Sequence, residues 1–180
     1  MRSLLYCVPA PLNAALAYIL CLVEKMEIRE AREADIDSLL RLNYQIGSMH
    51  FENAPEAFVK PSPDEKEFLH RALSDPSRLF LVAEISGDIL GFITATVTQN
   101  EAVPFLVKTP ICRVGTIVVD ESSRVSGIGS QLMAKCTDWA KSQGAEQIRL
   151  EVMAFNHNAQ KFYTKLGFKE QSKTMWKTVS

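Results

Sequence analysis

The sequence predicts an α/β (or α+β) fold in which one mixed β-sheet is flanked by helices. Three observations predict it: apolar stretches of strand length, a glycine-containing turn that joins two of them into a hairpin, and a second half that runs strand, helix, strand, helix. Of the 180 residues, 47% are hydrophobic and 23% charged, with a formal net charge of −1. That balance suits a globular domain and argues against nucleic acid or an anionic membrane as the main partner.

The first predicted elements are a short strand and two helices. Residues 27–31 alternate around Ile28 and predict the strand. Asp35 is a candidate N-cap for a helix whose apolar face begins at Ile36. The second helix is predicted to start at the capping box Ser62-Pro63-Asp64-Glu65, which has proline at the first helical position.

The remaining predicted elements complete the sheet and its helices. Ser86-Gly87-Asp88 is the turn of the hairpin, and Gly144 ends the helix that follows the next strand. The ranges are strands over 79–85, 89–98 and 111–119, a helix over 127–142, a strand through Ile148, Leu150 and Val152, a short helix ending at Leu166, and a candidate last strand over 174–179.

Residues 1–25 form an apolar N-terminal extension outside this pattern, and residues 26–180 are predicted to form a single domain. The uninterrupted apolar stretch 14–23 is too short to cross a bilayer as a helix, and no small-x-small cleavage pattern precedes Glu24. Met26 is therefore a candidate native start. The alternative is an ordered N-terminal helix that covers core or dimer surface.

Cysteine and histidine spacing predicts no metal site and a reducing cytoplasm. Cys7, Cys21, Cys112 and Cys136 form no C-x-x-C pair. The three histidines lie too far from them in sequence for a zinc pattern, so free thiols are expected.

One segment predicts a diphosphate site. The buried strand Ile117-Val118-Val119-Asp120 is followed by the turn Arg124-Val125-Ser126-Gly127-Ile128-Gly129, which opens onto a helix. The first N–H groups of a helix have no partner within it, and the helix dipole adds partial positive charge there. Glycines allow the backbone to approach phosphates closely. Two glycines before a helix often only make a turn, so this motif needs support from a second one.

A second block supplies that support: Asn156-His157-Asn158-Ala159-Gln160-Lys161-Phe162-Tyr163-Thr164-Lys165-Leu166-Gly167-Phe168. Together the two blocks resemble the GCN5-related N-acetyltransferase (GNAT) superfamily, whose coenzyme A pyrophosphate loop reads Q/R-x-x-G-x-G/A. The resemblance covers about residues 27 to 179. It implies a GNAT-type acyl-CoA N-acyltransferase fold, acetyl-CoA as co-substrate and an amine as acceptor.

The resemblance also implies which residues hold the coenzyme. The backbone of Ile117, Val118 and Val119 is expected to pair with the pantetheine arm, beside a splayed sheet. Asn156 is expected to contact the coenzyme, and it is also an ideal helix N-cap. The residues expected at the pyrophosphate are Arg124, Val125, Ser126, Gly127, Ile128, Gly129 and Ser130.

Acetyl transfer needs an acid for the leaving thiolate, and the resemblance implies Tyr163. Family members place this hydroxyl near the coenzyme sulfur. The alternative is structural, because Ala159, Phe162, Tyr163 and Leu166 have helical spacing and Tyr163 could be a core residue.

A base is also required, because an alkylammonium has a pKa near ~10.4 and must lose a proton before it attacks. Glu151 is the candidate, by similarity to the ribosomal-protein alanine N-acetyltransferases, with a solvated strand glutamate as the alternative. Glu84 and Asp120 are reserves, since many members relay the proton through water. His157 lies at a helix start and matches no histidine of the family pattern.

The acceptor is left open. In the family, one acceptor wall comes from the first helix pair, here residues 50–53, and another from a loop, here 171–173. Polyamines, amino acids, aminoglycosides and protein N-termini all fit. Many relatives form homodimers, through a surface such as the apolar extension or the last strand. The rival function is a non-catalytic acetyl-CoA-binding sensor or interaction module, for which Tyr163 would be unnecessary.

Overall fold

A computed structural model describes residues 26–124 and 127–179, so the N-terminal extension lies outside the described residues. The chain divides into two units, one ending at Arg149 and one beginning at Leu150. In the first unit, five strands form one sheet in the order β1-β2-β3-β4-β5. Strands β1 to β4 are antiparallel neighbours, and β5 pairs with β4 in parallel. The sheet is therefore mixed, as predicted.

The elements follow the predicted order closely. The bounds of β4 agree with the prediction, and the hairpin strands differ from it by one residue at their first positions. The strands are β1 (Met26–Glu30), β2 (Arg78–Ile85), β3 (Asp88–Thr98), β4 (Ile111–Val119) and β5 (Gln147–Arg149). The helices are α1 (Ile36–Asn53), α2 (Glu65–Leu73), α3 (Ile128–Ser142) and, in the second unit, α4 (His157–Lys165).

The hairpin turn is the one the sequence predicts. Ile85 pairs with Asp88, so Ser86 and Gly87 form a two-residue loop. Both have positive φ angles, 55° and 93° respectively. Two positive φ angles are the mark of a type I′ turn, whose twist matches that of the flanking strands.

Helices cover both faces of the sheet in the first unit. On one face, α1 and α2 contribute Leu39 and Leu69 to a buried cluster that includes Phe80 of β2 and Phe92 of β3. Gly91 faces the opposite way, because neighbouring strand residues alternate. A Cβ placed on Gly91 would lie 3.1 Å from Ile128 and 3.4 Å from Leu132 of α3. The absence of a side chain there lets α3 lie close to β3.

Asp35 occupies the predicted N-cap position of α1 but does not cap the helix. Its carboxylate accepts hydrogen bonds from the Arg29 guanidinium at 2.8 and 2.9 Å and from the Arg32 N–H at 2.8 Å. A bidentate charged partner binds a carboxylate more strongly than a helix N–H does. Asp35 therefore ties the end of β1 to the start of α1.

The capping box at the second helix forms only in part. The Ser62 N–H donates to Glu65 Oε1 at 3.3 Å, whereas the Ser62 hydroxyl accepts from Asp64 N at 3.3 Å. The Ser62 hydroxyl accepts from the Asp64 N–H and not from the Glu65 N–H. Residues 63 and 64 form a turn, and α2 begins at Glu65.

Two strand predictions near the C-terminus are wrong. Strand β5 ends at Arg149, so Leu150 and Val152 are not in a strand, and no residue of 174–179 is assigned to one. Pairing of β5 with β4 stops at Arg113, two residues before a bulge in β4 bends that edge. Alternating apolar residues form a strand only where a partner edge is available. No helix in the described ranges is both long and apolar enough to cross a membrane.

Candidate functional site

Strand β4 has a bulge at Gly115. Thr94 pairs with Thr116 and Ala95 with Val114, so Gly115 has no partner on β3. The hydroxyl of Thr94 accepts a hydrogen bond from the Thr116 N–H at 3.1 Å and bridges the irregularity. Past this bulge no described strand pairs with the outer edge of β4. We call this part of β4 its open edge within the first unit, and it is the part beside which the splay is expected.

Backbone groups of Ile117 and Val119 point to this open edge. The Asp120 N–H donates to Leu90 O on the β3 side at 2.8 Å, and the Thr116 N–H points the same way. Backbone direction alternates along a strand, so Val118 also faces β3, whereas Ile117 and Val119 face outward. Only two of the three predicted pantetheine residues thus offer N–H and C=O groups at the edge.

The predicted phosphate loop ends in an uncapped helix. Gly127 has a left-handed φ of 79° and immediately precedes α3. Among the described residues no side chain caps this helix, and its first turn contains no acidic residue, so the N–H groups of Ile128, Gly129 and Ser130 meet no carboxylate of that turn. Val125 and Ser126 of the predicted set lie outside the described residues. The described part of the loop fits a diphosphate.

Arg124 lies before this helix and pairs with Glu121 at 3.2 Å. The guanidinium is 50% exposed and the carboxylate 62%, so solvent screens the pair and it contributes little to stability. An arriving phosphate group could therefore recruit Arg124 at small cost.

Asp120 connects β4 to helix α1, a contact that sequence reasoning missed. Its carboxylate accepts hydrogen bonds from Arg41, from Gln45 at 3.2 Å and from the Ser122 hydroxyl at 2.6 Å. The Ser122 hydroxyl and the Arg41 guanidinium hold the pKa of Asp120 well below its ordinary value, against the effect of burial. Such a carboxylate is a poor base. It is better suited to anchoring the segment that leads into the loop.

Glu84, the other reserve base, is also engaged in an ion pair. Its Oε2 accepts from Arg29 Nε at 2.7 Å, and the same guanidinium binds Asp35. Glu84 therefore belongs to a network that joins β1, β2 and the start of α1.

Tyr163 lies on α4 in the second unit, partly buried against aromatic rings. Phe162 is 5.3 Å away between ring centroids, and Phe168 makes an edge contact at 5.7 Å. Burial raises the pKa of Tyr163 to about 12. The phenol therefore stays protonated through the physiological range and keeps a proton to donate.

The other predicted residues of the second unit have simpler surroundings. Asn156 caps α4, since its Oδ1 accepts from Ala159 N at 3.0 Å, which confirms its predicted structural role. Glu151 follows the end of β5 and is exposed, so the prediction that it lies within a strand is wrong. His157 is the exposed first residue of the helix.

A cavity of about 140 Å³ lies beside the bulge and was not predicted. Its polar lining comes from strand positions that face inward, with Thr94 on β3, Thr116 on β4 and Arg78 at the start of β2. Asn43 of α1 and aromatic side chains complete it. Polar residues at inward positions of otherwise apolar strands were the sequence signal that could have revealed it.

The predicted acceptor wall on α1 is partly buried. His50 stacks on Phe58 with ring centroids 4.6 Å apart, and burial lowers the pKa of His50. Phe51 lies under the Lys60 ammonium at 5.6 Å. The described residues contain no group of three or more His, Cys, Asp or Glu side chains placed to hold a metal ion.

Comparison with known proteins gives the same family as the two motifs. The model of the acetyltransferase (GNAT) family matches residues 43–168. An N-alpha-acetyltransferase of Sulfurisphaera tokodaii is 30% identical over 152 residues, covering 82% of each chain. The L-amino acid N-acetyltransferase AaaT of Escherichia coli is 27% identical, over 81% of this chain and 84% of its own.

A solved structure shows the same fold. A mutant of the BH1408 protein from Bacillus halodurans has a TM-score of 0.81 and 24% identity, over 86% of this chain and 99% of its own. The family match covers most of the chain and includes both the uncapped loop before α3 and Tyr163. The chain therefore belongs to the acetyltransferase (GNAT) family and is an N-acetyltransferase.

Proposed function

We propose that the protein transfers the acetyl group of acetyl-CoA to a primary amine by direct attack through a tetrahedral intermediate. The observation that carries the proposal is the pairing of an uncapped helix start at Gly127 with the open edge of β4. The helix start offers N–H donors for a diphosphate. The strand edge offers backbone N–H and C=O groups that can pair with the amides of the pantetheine arm. In this proposal the diphosphate and the pantetheine arm of acetyl-CoA bind residues of the first unit.

In this proposal the residues of β4 activate the thioester. The outward N–H of Ile117 donates a hydrogen bond to the thioester oxygen, which gains charge as the amine nitrogen attacks. A C–N bond forms and the C–S bond breaks, so the products are an N-acetyl amine and a thiolate. Val119 and the residues from Arg124 to Ser130 hold the rest of the coenzyme.

Two protons must move. Tyr163 donates its phenolic proton to the departing thiolate, and its raised pKa keeps that proton available. The ammonium proton of the acceptor goes to Glu151, directly or through water. Glu151 is exposed in the free protein, and in this proposal the bound acceptor covers it. Asn156 keeps its predicted contact with the coenzyme in this proposal.

The same proposal covers the cellular compartment of the protein and the class of amine that it acetylates. Cys112 and Cys136 are free, buried thiols, which suits a reducing cytoplasm. One relative is named for the α-amine and another for free amino acids, so both kinds of acceptor are candidates here. A sensor that only binds acetyl-CoA is disfavoured because it would not need Tyr163.

The test is a thermal shift with acetyl-CoA, compared with ATP and with an Arg124→Glu variant. A ligand at a hundredfold excess over its Kd adds about 2.7 kcal/mol, which moves the Tm of a domain of this size by roughly 5–10 °C. We expect that shift with acetyl-CoA, none with ATP, and a smaller one in the variant. An unchanged Tm with acetyl-CoA would contradict the proposed cofactor.

A further inference from the structure

Arg78 is the one charged residue that lines the cavity beside the β4 bulge, and it is poorly paired. Its Nε is buried, and among the described residues it is the only buried side-chain nitrogen or oxygen without a hydrogen-bond partner. A buried guanidinium nitrogen normally has an acceptor, because leaving it unsatisfied is costly. The guanidinium of Arg78 therefore has donor capacity that the described residues do not fully use.

The ion-pair partner of Arg78 lies too far away for a hydrogen bond. Arg78 Nε is 3.8 Å from Asp75 Oδ2, beyond hydrogen-bond distance. The other oxygen of that carboxylate, Oδ1, accepts from the Ser77 N–H at 2.9 Å and from the Ser77 hydroxyl at 2.6 Å, which holds Asp75 in the turn before β2. Arg78 and Asp75 therefore form only a loose ion pair.

The guanidinium lies beside β4 at Gly115, two residues before the proposed donor to the thioester oxygen. A Cβ placed on Gly115 would lie 3.8 Å from Arg78 Nη1 and 3.1 Å from Thr94 Oγ1. Thr116, which also lines the cavity, immediately precedes Ile117, the proposed donor to the thioester oxygen. A group bound to Arg78 would therefore lie beside the reacting centre, on the face of the sheet that α1 and α2 cover.

We propose that Arg78 binds a carboxylate of the acceptor, so that the preferred substrates are primary amines with a carboxylate a few bonds from the nitrogen. This inference rests on the proposed function. Guanidinium groups bind carboxylates through paired N–H donors, and such bonds are among the strong ones. Two sources share this chemistry: the carboxylate of a free amino acid and an acidic side chain at a peptide N-terminus.

The size of the cavity agrees with a small acceptor. A volume of about 140 Å³ equals that of four to five waters at roughly 30 Å³ each. The helices contribute the amide of Asn43 and the apolar side chains of Phe68, Leu69 and Ala72 to the lining. Asn43 Nδ2 donates to Glu65 Oε2 at 2.7 Å, which fixes this amide. The cavity thus has a cation on β2 and one oriented amide on the helices.

Matched acceptors test the inference. We would measure kcat/KM for glycine against glycinamide, for β-alanine against β-alaninamide, and for a peptide beginning with Asp against one beginning with Asn. The enzyme forms are wild type, Arg78→Gln, Arg78→Lys and Arg71→Gln. Arg71 is an exposed arginine of α2 paired with Glu67 and serves as the control.

The expected result is a preference for carboxylates that depends on Arg78. Arg78→Gln should lower kcat/KM for the carboxylate acceptors about 10- to 100-fold, the range for a charged hydrogen bond, and should leave the amides within about twofold. Arg78→Lys should retain part of the preference, and Arg71→Gln all of it. Comparing kcat/KM for the free amino acids with kcat/KM for the peptide that begins with Asp shows which source of carboxylate the enzyme uses.

A direct binding measurement separates this inference from the proposed function. Wild type should bind N-acetylglycine more tightly than N-acetylglycinamide by calorimetry, and Arg78→Gln should lose the difference while its Tm confirms folding. If amines are acetylated but carboxylate and amide acceptors perform alike, the inference is overturned and the proposed function stands. If N-acetylglycine binds through Arg78 but no amine is acetylated, the carboxylate site is supported and the proposed function fails.

Discussion

At the scale of single residues, the environment decides what each candidate can do. Tyr163 and Glu151 were both predicted as proton-transfer groups from one block of sequence. Tyr163 is packed against Phe162 and Phe168, which raises its pKa to about 12, whereas Glu151 is exposed. The residue types were predictable, but their burial depends on neighbours that the motif does not specify.

The role of Tyr163 predicts a loss of turnover without a loss of binding. Tyr163→Phe should lower kcat about 100-fold or more, the usual contribution of a general acid, and leave the Kd for acetyl-CoA within about twofold. Because the raised pKa keeps the phenol protonated, the ratio of wild-type to variant kcat should be the same at pH 7 and pH 9.

Steady-state kinetics at both pH values, with calorimetry for binding, measure these quantities. If the variant keeps full turnover, Tyr163 has only a structural role in the core. A ratio that falls between pH 7 and pH 9 would mean that the phenol ionises more readily than its buried position indicates.

Sequence reasoning at this scale found the residues of motifs and missed residues that meet only in space. Asp120 was considered as a base, yet Arg41 and Gln45 of α1 bind it. Arg78 belongs to no motif, and its proposed role depends on the cavity that it lines beside Gly115. Such contacts join residues far apart in the chain, so local spacing carries no sign of them.

At the scale of elements, α3 shows how a helix start becomes a binding site. Gly127 has a φ of 79° and Gly144, just past the other end of the same helix, has a φ of 72°. Apart from the chain neighbours, no atom of the described residues lies within 4 Å of a Cβ added at either position, so alanine there strains the backbone without a clash. The two glycines are therefore a matched pair that differ in their distance from the loop.

These two glycines predict that stability and coenzyme affinity can be separated. Gly127→Ala and Gly144→Ala should each lower the free energy of unfolding by about 1–2 kcal/mol, the cost of a left-handed residue with a Cβ. Only Gly127→Ala should weaken acetyl-CoA binding. Denaturant unfolding and calorimetry on both variants provide the measurements, and equal loss of affinity in the two would contradict the placement of the phosphate site.

The positions of the elements were largely predictable, and their ends were less so. Apolar periodicity located the hairpin and β4, because the apolar residues of a buried strand or helix face recur at a fixed spacing in the sequence. Strand β5 ends at Arg149 rather than continuing to Val152, because the bulge at Gly115 ends the pairing that a strand needs. A bulge depends on its partner strand and is not visible in one strand alone.

At the scale of the whole molecule, two buried carboxylates make folding sensitive to acid. The Arg29 guanidinium, through its hydrogen bonds, holds the pKa of Asp35 below its ordinary value. The Ser122 hydroxyl and Arg41 do the same for Asp120. The residues are 8% and 7% exposed, so solvent cannot replace the partners they would lose.

A depressed native pKa gives stability that is present above the unfolded value of about 3.9 and lost as the pH falls below it. The free energy of unfolding should therefore decline below about pH 4 as both carboxylates gain protons. Burial of His50, which lowers its pKa, adds an earlier decline that begins below about pH 6.5. Asp35→Asn and Asp120→Asn should each lower it by about 1.5–3 kcal/mol at pH 7. Their difference from wild type should shrink below pH 4.

Denaturant unfolding across this pH range makes the comparison, with Asp37→Asn as the control. Asp37 is also paired, with Lys66, but its side chain is 85% exposed, so its substitution should leave stability unchanged. A constant difference between wild type and the buried-site variants at every pH would show that the two carboxylates keep no depressed pKa in the folded protein.

The sequence by itself determined the family, the order of the elements and the residues of both motifs, because periodicity and short spacings are properties of the chain. Tertiary structure alone decided which groups face the open edge of β4, which carboxylates are held in ion pairs, and that the buried Arg78 Nε has no hydrogen-bond partner. These properties arise where segments distant in sequence pack together, since burial and pairing belong to the folded neighbourhood rather than to any one stretch of residues.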